Sequence, residues 1–240
     1  MQDSTEDIQK FLDNLPEQFE ILETGIDFNV QAEYLEHSHS FDRGELTEKE
    51  TLALGNILLN QKTPTDAKKK ALSLLSHLGT ILAFRLIEKY KQNCDKVLEQ
   101  WAALALQECK MFLESSLLDI SAGFISSGLG GQGNRLRYYF LVLPLTGKLF
   151  NSKQTEIIRD EYLIVCKELN CISETIDLSE KYAGISLLVP LTIAVGTVIE
   201  TGIKKCNELG AFVFEYYYVT NQNIPNSPEI TEIIKLVTEE

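Results

Sequence analysis

Apolar positions change their period about half-way along this chain of 240 residues. In the first half they recur every three or four residues, the spacing of a helix that buries one face. Leu72, Leu75, Leu78, Leu82, Leu86 and Tyr90 predict one long helix, opened by Thr63-Pro64-Thr65-Asp66, with Thr65 or Asp66 able to cap it, and broken by Asn93-Cys94-Asp95. Val97, Leu98, Trp101, Leu104, Ala105, Cys109, Phe112 and Leu113 predict a second. A shorter helix through Leu52, Leu54, Ile57 and Leu58 precedes them, and Thr47 with Glu50 three residues later reads as its capping box. Ahead of these, Ile8, Phe11 and Leu12 share one face of a short helix over Thr5–Asn14. The stretch from Phe28 to Asp42 has no clear period.

From residue 135 onward, short runs rich in aromatic and β-branched residues alternate with helical stripes, and the pattern is stated twice. Leu141-Val142-Leu143-Pro144-Leu145-Thr146 returns as Leu187-Leu188-Val189-Pro190-Leu191-Thr192. Each copy leads into a helical stripe, first Ile157, Ile158, Tyr162, Val165 and Leu169, then Val195, Val198, Ile199, Ile203 and Cys206. Strands are predicted at Leu136–Leu143, Ile172–Leu178, Ile185–Val189 and Phe212–Val219, and a short terminal helix at Glu229–Thr238. Between the halves, Gly128, Gly130 and Gly133 match a dinucleotide fingerprint by spacing. A helix precedes them and a strand follows, the reverse of what that fingerprint requires, so a flexible hinge or hairpin-like linker is the better reading.

Two resemblances follow from these residues. The Ala71-Leu72-x-x-Leu75 run, Leu78-Gly79-Thr80 and Trp101-Ala102-Ala103-Leu104-Ala105-Leu106 resemble a HEAT-like helical repeat, about one unit with a preceding helix. That resemblance implies stacked helices serving as a packing or binding surface. The duplicated strand-helix-strand unit resembles the ferredoxin-like βαββαβ fold. Together they predict an α+β protein with an acidic N-terminal region (1–45), a helical HEAT-like domain (46–125), a glycine-rich linker (126–134), a ferredoxin-like domain (135–220) and a C-terminal loop and short helix (221–240).

The second resemblance is taken to place the first and third strands side by side, parallel and central. Both Pro-Leu-Thr segments then end on one edge of the sheet, where Thr146 and Thr192, with Lys148 nearby, outline a pocket for a small anion. Arg135 and Arg137, beside the glycine run, are candidate anion clamps. The same two segments also have an explanation without a ligand: proline ends a strand because it lacks an N–H, and threonine caps a helix. Aromatics on both faces of the sheet (Tyr138, Tyr139, Phe140, Phe212, Phe214, Tyr216, Tyr217, Tyr218) call for a second cover: the N-terminal helices, a second copy, or a partner protein.

Charge narrows the partners. Of the formal −13, residues 1–50 supply −11 (14 acidic, 3 basic), and residues 51–150 carry +5 (12 basic, 7 acidic). The acidic balance and the absence of an RNA-recognition signature in Gly184–Val189 weigh against nucleic acid. No start typical of a secretory signal stands at Met1–Asp7, and Ile185–Ile199 is too short to span a bilayer, so neither export nor a membrane is expected. Five cysteines without a Cys-x-x-Cys pair, and three histidines, predict free thiols in a reducing cytoplasm, no metal and no cofactor. No nucleophile–base pair can be named. A non-enzymatic adaptor that binds a protein partner or a second copy is the expectation, with anionic-metabolite sensing, or an enzyme acting on such a metabolite, as the alternatives.

Overall fold

In the computed structural model, which describes residues 18–40 and 46–239, a left-handed turn at Gly79 sets the layout of the helical half. The chain divides between Ser126 and Ser127 into two compact units. The first holds β1 (Gln18–Ile21), α1 (Phe28–His39), α2 (Glu48–Leu59), α3 (Thr65–Leu78), α4 (Ile81–Lys91), a 3-10 turn at Lys96–Leu98, α5 (Glu99–Leu118) and β2 (Ala122–Ile125). The helix predicted to run from Thr65 to Tyr90 is therefore two. Gly79 ends α3 with φ of 54°, a conformation a side chain resists, and the Thr80 hydroxyl accepts a hydrogen bond from the Ala83 N–H to start α4. At the front of α3 the cap is Pro64, so Thr65 and Asp66 lie inside the first turn. The Thr47–Glu50 capping box of α2 forms as its spacing predicts.

Two further elements of this unit differ from the sequence expectation. The aperiodic stretch after Phe28 is a helix, α1, whose Asp27 cap accepts from the Asn29 N–H at 2.8 Å. β1 pairs in parallel with β2 in a small ribbon, Gln18 opposite Ala122 and Ile21 opposite Ile125. The helix expected over Thr5–Asn14 lies outside the described residues. Leu58, Leu72, Leu75, Ile87, Leu98 and Trp101 form the buried centre. Among the described residues no helix is long and apolar enough to cross a membrane.

The second unit is built on β4 (Arg135–Pro144), α6 (Ser152–Glu168), β5 (Ile172–Leu178), β6 (Ala183–Pro190), α7 (Val195–Glu208) and β7 (Val213–Thr220). The strands lie in the order β7-β4-β6-β5 and every pairing is antiparallel. This is the βαββαβ arrangement the duplication predicts, but with β4 and β6 antiparallel where parallel was expected. The reason is in the connections. A βαβ crossover carries β4 and β5 in one direction, and the hairpin at Ser179–Tyr182 turns β6 back against both.

The glycine segment is a fixed part of this unit. A short strand β3 (Gly131–Gln132) forms a hairpin with β4 through Gly133, whose φ of 60° suits a primed turn. Leu129 N–H donates to the Asn221 carbonyl at 2.8 Å, and a Cβ on Gly128 would strike the Gln222 backbone.

One sheet face, with Phe140, Val142, Ile185, Leu187 and Val189, packs on α6 and α7. The other, with Tyr139, Leu141, Leu143, Phe214 and Tyr218, is covered by the chain's own last helix, α8 (Ser227–Glu239), through Ile230, Ile233, Ile234 and Val237. Most of these aromatics thus have their cover within this unit, while Tyr216 stays 54% exposed. The two large helices meet where Gly202 of α7 lies against the ring of Tyr162, whose hydroxyl donates to the Ile199 carbonyl at 2.9 Å. A Cβ at Gly202 would be driven into that fixed ring. Replacing a helical glycine gains at most about 1 kcal/mol of propensity, whereas overpacking a rigid site costs about 1–3 kcal/mol. Gly202→Val, which adds β-branching as well, is expected to lower stability by about 2–3 kcal/mol, seen as a drop in the urea midpoint at unchanged slope.

Candidate functional site

The register of β4 against β6 separates the residues expected to share a pocket. Arg135 stands opposite Pro190, and Val142 opposite Ala183. Pro190 thus stands opposite Arg135, nine residues before Pro144 on the same strand, which sets the two prolines about 31 Å apart along the sheet at roughly 3.4 Å per residue. Thr146 and Thr192 do not form one site. Neither caps a helix: Asn151 caps α6 in a capping box with Gln154, and α7 opens after Ala194 without a side-chain cap. Both threonines sit instead in the turns that follow their strands.

Arg135 and Arg137 are at the Thr192 end and are committed there. Arg135 donates to the carbonyl and side-chain oxygen of Asn170, both at 3.0 Å, and so holds the left-handed residue that follows α6. Arg137 reaches past β6 to bind Glu174 of β5 in a two-pronged pair at 2.5 and 2.8 Å, and donates to the Leu129 carbonyl at 2.6 Å. These contacts stitch β5 and the glycine segment to β4; they occupy the guanidinium groups expected to clamp an anion.

Thr146 and Lys148 fall at the other end, beside an open cleft of about 230 Å³ lined by Leu143–Leu149, Lys181, Ile234 and Thr238. Its turn is closed by the Lys148 N–H donating to Leu145, with Gly147 at φ 73°. Leu145 and Leu149 are exposed on its wall. Neither Lys148 nor Lys181 has an ion-pair partner among the described residues, and the Thr146 hydroxyl bonds to none of them. Lys181 and the α8 residues were missed by sequence reasoning because they come from a hairpin turn and from a helix that only tertiary packing brings here.

The first unit holds two polar clusters that the sequence pattern did not single out. At the floor of a polar cleft of about 520 Å³, Lys68 is 4% exposed and pairs with Asp95, itself 47% exposed, at 2.7 Å. Tyr90 donates to the same carboxylate oxygen at 3.0 Å. Hydrogen bonds from Lys68 and Tyr90 hold the Asp95 carboxyl below its ordinary range, and burial, followed by Asp95, pushes the Tyr90 phenol up. Lys68 opens a run of three lysines, which reads as a solvated face; only the third of them is exposed.

The second cluster surrounds Glu108 of α5. Its carboxylate accepts from Tyr34 and Ser76, each at 2.6 Å, and from Ser38 at 3.1 Å, with His77 at 3.5 Å. Burial raises the Glu108 carboxyl, and hydrogen bonds from His77, Ser76 and Tyr34 outweigh it and leave it below its ordinary value. Ser38 and Glu108 approach the same imidazole nitrogen, Nε2, so Glu108 does not orient the ring from its far side as a serine–histidine–acid relay requires. Ser38 is also only 1% exposed. The buried thiols are equally quiet: burial pushes Cys166 up to about 11 and Cys206 up to about 12, so both stay protonated at neutral pH.

Comparison with known proteins adds little to this geometry. No protein-family model matches the chain, and no curated protein does. Among solved structures, one that matches is a REP-associated tyrosine transposase bound to a REP hairpin, 8% identical with a TM-score of 0.32. The match covers 42% of this chain and 63% of that one, less than two thirds of its length. A likeness of that size carries no argument about fold or function.

Asp95 gives this site its most direct stability test. Asp95→Ala leaves a buried ammonium without its counter-charge, which typically costs 3–5 kcal/mol; with the carboxylate half in water, about 2–3 kcal/mol is expected here. Chemical denaturation measures it, and Lys68→Met on the Asp95→Ala background is expected to restore much of the loss.

Proposed function

We propose that the protein is a non-catalytic interaction module that docks a short segment of a partner protein in the cleft between the Pro144–Leu149 turn, Lys181 and the end of α8. The observation that carries this reading is the cleft's composition: Leu143, Pro144, Leu145, Leu149 and Ile234 supply apolar wall, while Lys148 and Lys181 stand beside it without an ion-pair partner among the described residues. Apolar surface supplies binding energy roughly in proportion to the area it loses to water, and charges set beside it select the sign of the partner. The fitting segment carries one or two bulky apolar side chains flanked by Asp or Glu.

A small anion is the second reading of the same cleft, favoured by Thr146, Gly147 and Lys148 lying within one turn. A free anion leaves the leucines exposed, so the peptide reading fits more of the lining. Selection from a random peptide display library on the full chain is expected to enrich an apolar core with acidic flanks. The enriched peptide is expected to bind the Lys148→Glu/Lys181→Glu variant at least about tenfold more weakly, a loss of about 1.4 kcal/mol, and the Arg135→Gln variant as tightly as wild type. Enrichment of no sequence, with inorganic phosphate or citrate raising the melting temperature through Lys148, points to the anion reading instead.

A further inference from the structure

α1 is fastened differently from the other helices of its unit. Among its described side chains Tyr34 and Ser38 are the buried ones, four residues apart and so on one face. Both hydroxyls donate to Glu108: Tyr34 to Oε2 at 2.6 Å and Ser38 to Oε1 at 3.1 Å. Its large apolar side chains point away, with Phe28 68% and Leu35 54% exposed, and Val30 is only partly buried against the core. Further polar ties from α1 include Ser38 Oγ with His77 Nε2 at 2.7 Å, His37 Nδ1 with Ser73 at 3.1 Å and Glu33 with Lys69 at 2.5 Å, while the Tyr34 ring is its one fully buried contact with the apolar core. Under this helix lies Trp101, 1% exposed, with the Tyr34 and His37 rings edge-on at 5.2 and 5.5 Å and Lys69 Nζ 4.6 Å from its centre.

The groups around the Glu108 carboxylate come from every helix packed there. α1 brings Tyr34 and Ser38, with His37 and Glu33 beside them; α3 brings Ser76 and His77, with Ser73 and Lys69 beside them. We infer that α1 is a detachable helix latched by the Glu108 carboxylate, and that removing that charge releases α1 from α3 and α5 and uncovers Trp101. An ionised carboxylate accepts through both oxygens and makes the stronger kind of hydrogen bond; a neutral one loses that strength and one acceptor position. Other helices of the unit would still be held by Leu72, Leu75, Ile87 and Leu98, the part of the apolar core that bonds to none of the latch's polar groups.

The sign of the pH dependence follows. The Glu108 carboxyl is held below its ordinary value in the folded chain, so the latch contributes fully above about pH 4.5 and is lost as pH falls through that lowered value. Trp101 is the chain's only tryptophan, so its emission reports on the cover directly. In Glu108→Gln at neutral pH, Trp101 emission is expected to move to the red. Hydrogen exchange of the α1 amides is expected to quicken about tenfold or more, with α3, α4 and α5 changing less than about twofold. Acidifying wild type is expected to begin the same pair of changes below about pH 4.5 and to complete them as pH falls through the lowered Glu108 value. Unchanged α1 exchange, or acceleration of α3 and α5 by the same factor, overturns the latch. Should Glu108→Gln fail to fold, Tyr34→Phe, which removes one donor and keeps the ring over Trp101, decides the matter: selective opening of α1 supports the latch, and uniform or absent opening rejects it.

Discussion

The antiparallel pairing of β4 with β6 is the constraint on which the second unit rests. Eight residue pairs from Arg135/Pro190 to Val142/Ala183 fix the centre of the sheet, and both strands are buried along most of their length. With that register set, β5 and β7 take the flanks, α6 and α7 must share one face, and α8 closes the other. The same register sends two nearly identical Pro-Leu-Thr turns to opposite ends. One end is then consumed by structure, with Arg135 and Arg137 bound to Asn170, Glu174 and Leu129; the other keeps Thr146, Lys148 and Lys181 at an open cleft. A duplicated sequence has produced two inequivalent places.

The first unit depends on a different balance. Its centre is apolar and well filled, while two of its attachments rest on a charged group: Lys68 paired with Asp95 at the 3-10 turn, and the Glu108 carboxylate accepting from the hydroxyls of α1. Buried charge is weak as a source of stability and strict about geometry, because a group left without its partner bears the whole desolvation cost. Helices docked by packing tolerate modest change, whereas a helix docked by a carboxylate responds to the state of that one group. This is why α1, which exposes most of its apolar side chains, can belong to the fold and still be separable from it.

Much of the second unit was legible from period alone. β5 matches the predicted Ile172–Leu178, β4, β6, β7 and α8 begin and end within about two residues of expectation, and the stripe from Ile157 to Val165 lies within α6. Strand direction was not legible from period, since alternation reports which face a residue takes and says nothing of which way the strand runs. Connection rules do contain it: a crossover followed by a hairpin makes the first and third strands antiparallel, and that rule is enough to separate Thr146 from Thr192. In the first unit, Gly79-Thr80 was a readable stop and start inside a stripe that looked continuous. α1 was hidden because it buries a tyrosine and a serine instead of an apolar stripe. Glu108 had a signal of its own, a lone carboxylate on the same helical face as Trp101, Leu104 and Ala105. β1 and β2 pair across about a hundred residues, a distance over which local pattern carries no information.

The claim that joins this fold to a function is that the sheet binds at its Pro144 end and not at its Pro190 end. Amide chemical-shift mapping of the full chain during titration with a library-selected acidic, apolar peptide tests it most directly. Shifts are expected to concentrate at Leu145–Leu149, at Lys181 and at Ile234–Thr238, with the Leu191–Ala194 turn and Arg135 unmoved. Shifts centred on Thr192 and Arg135 would contradict it.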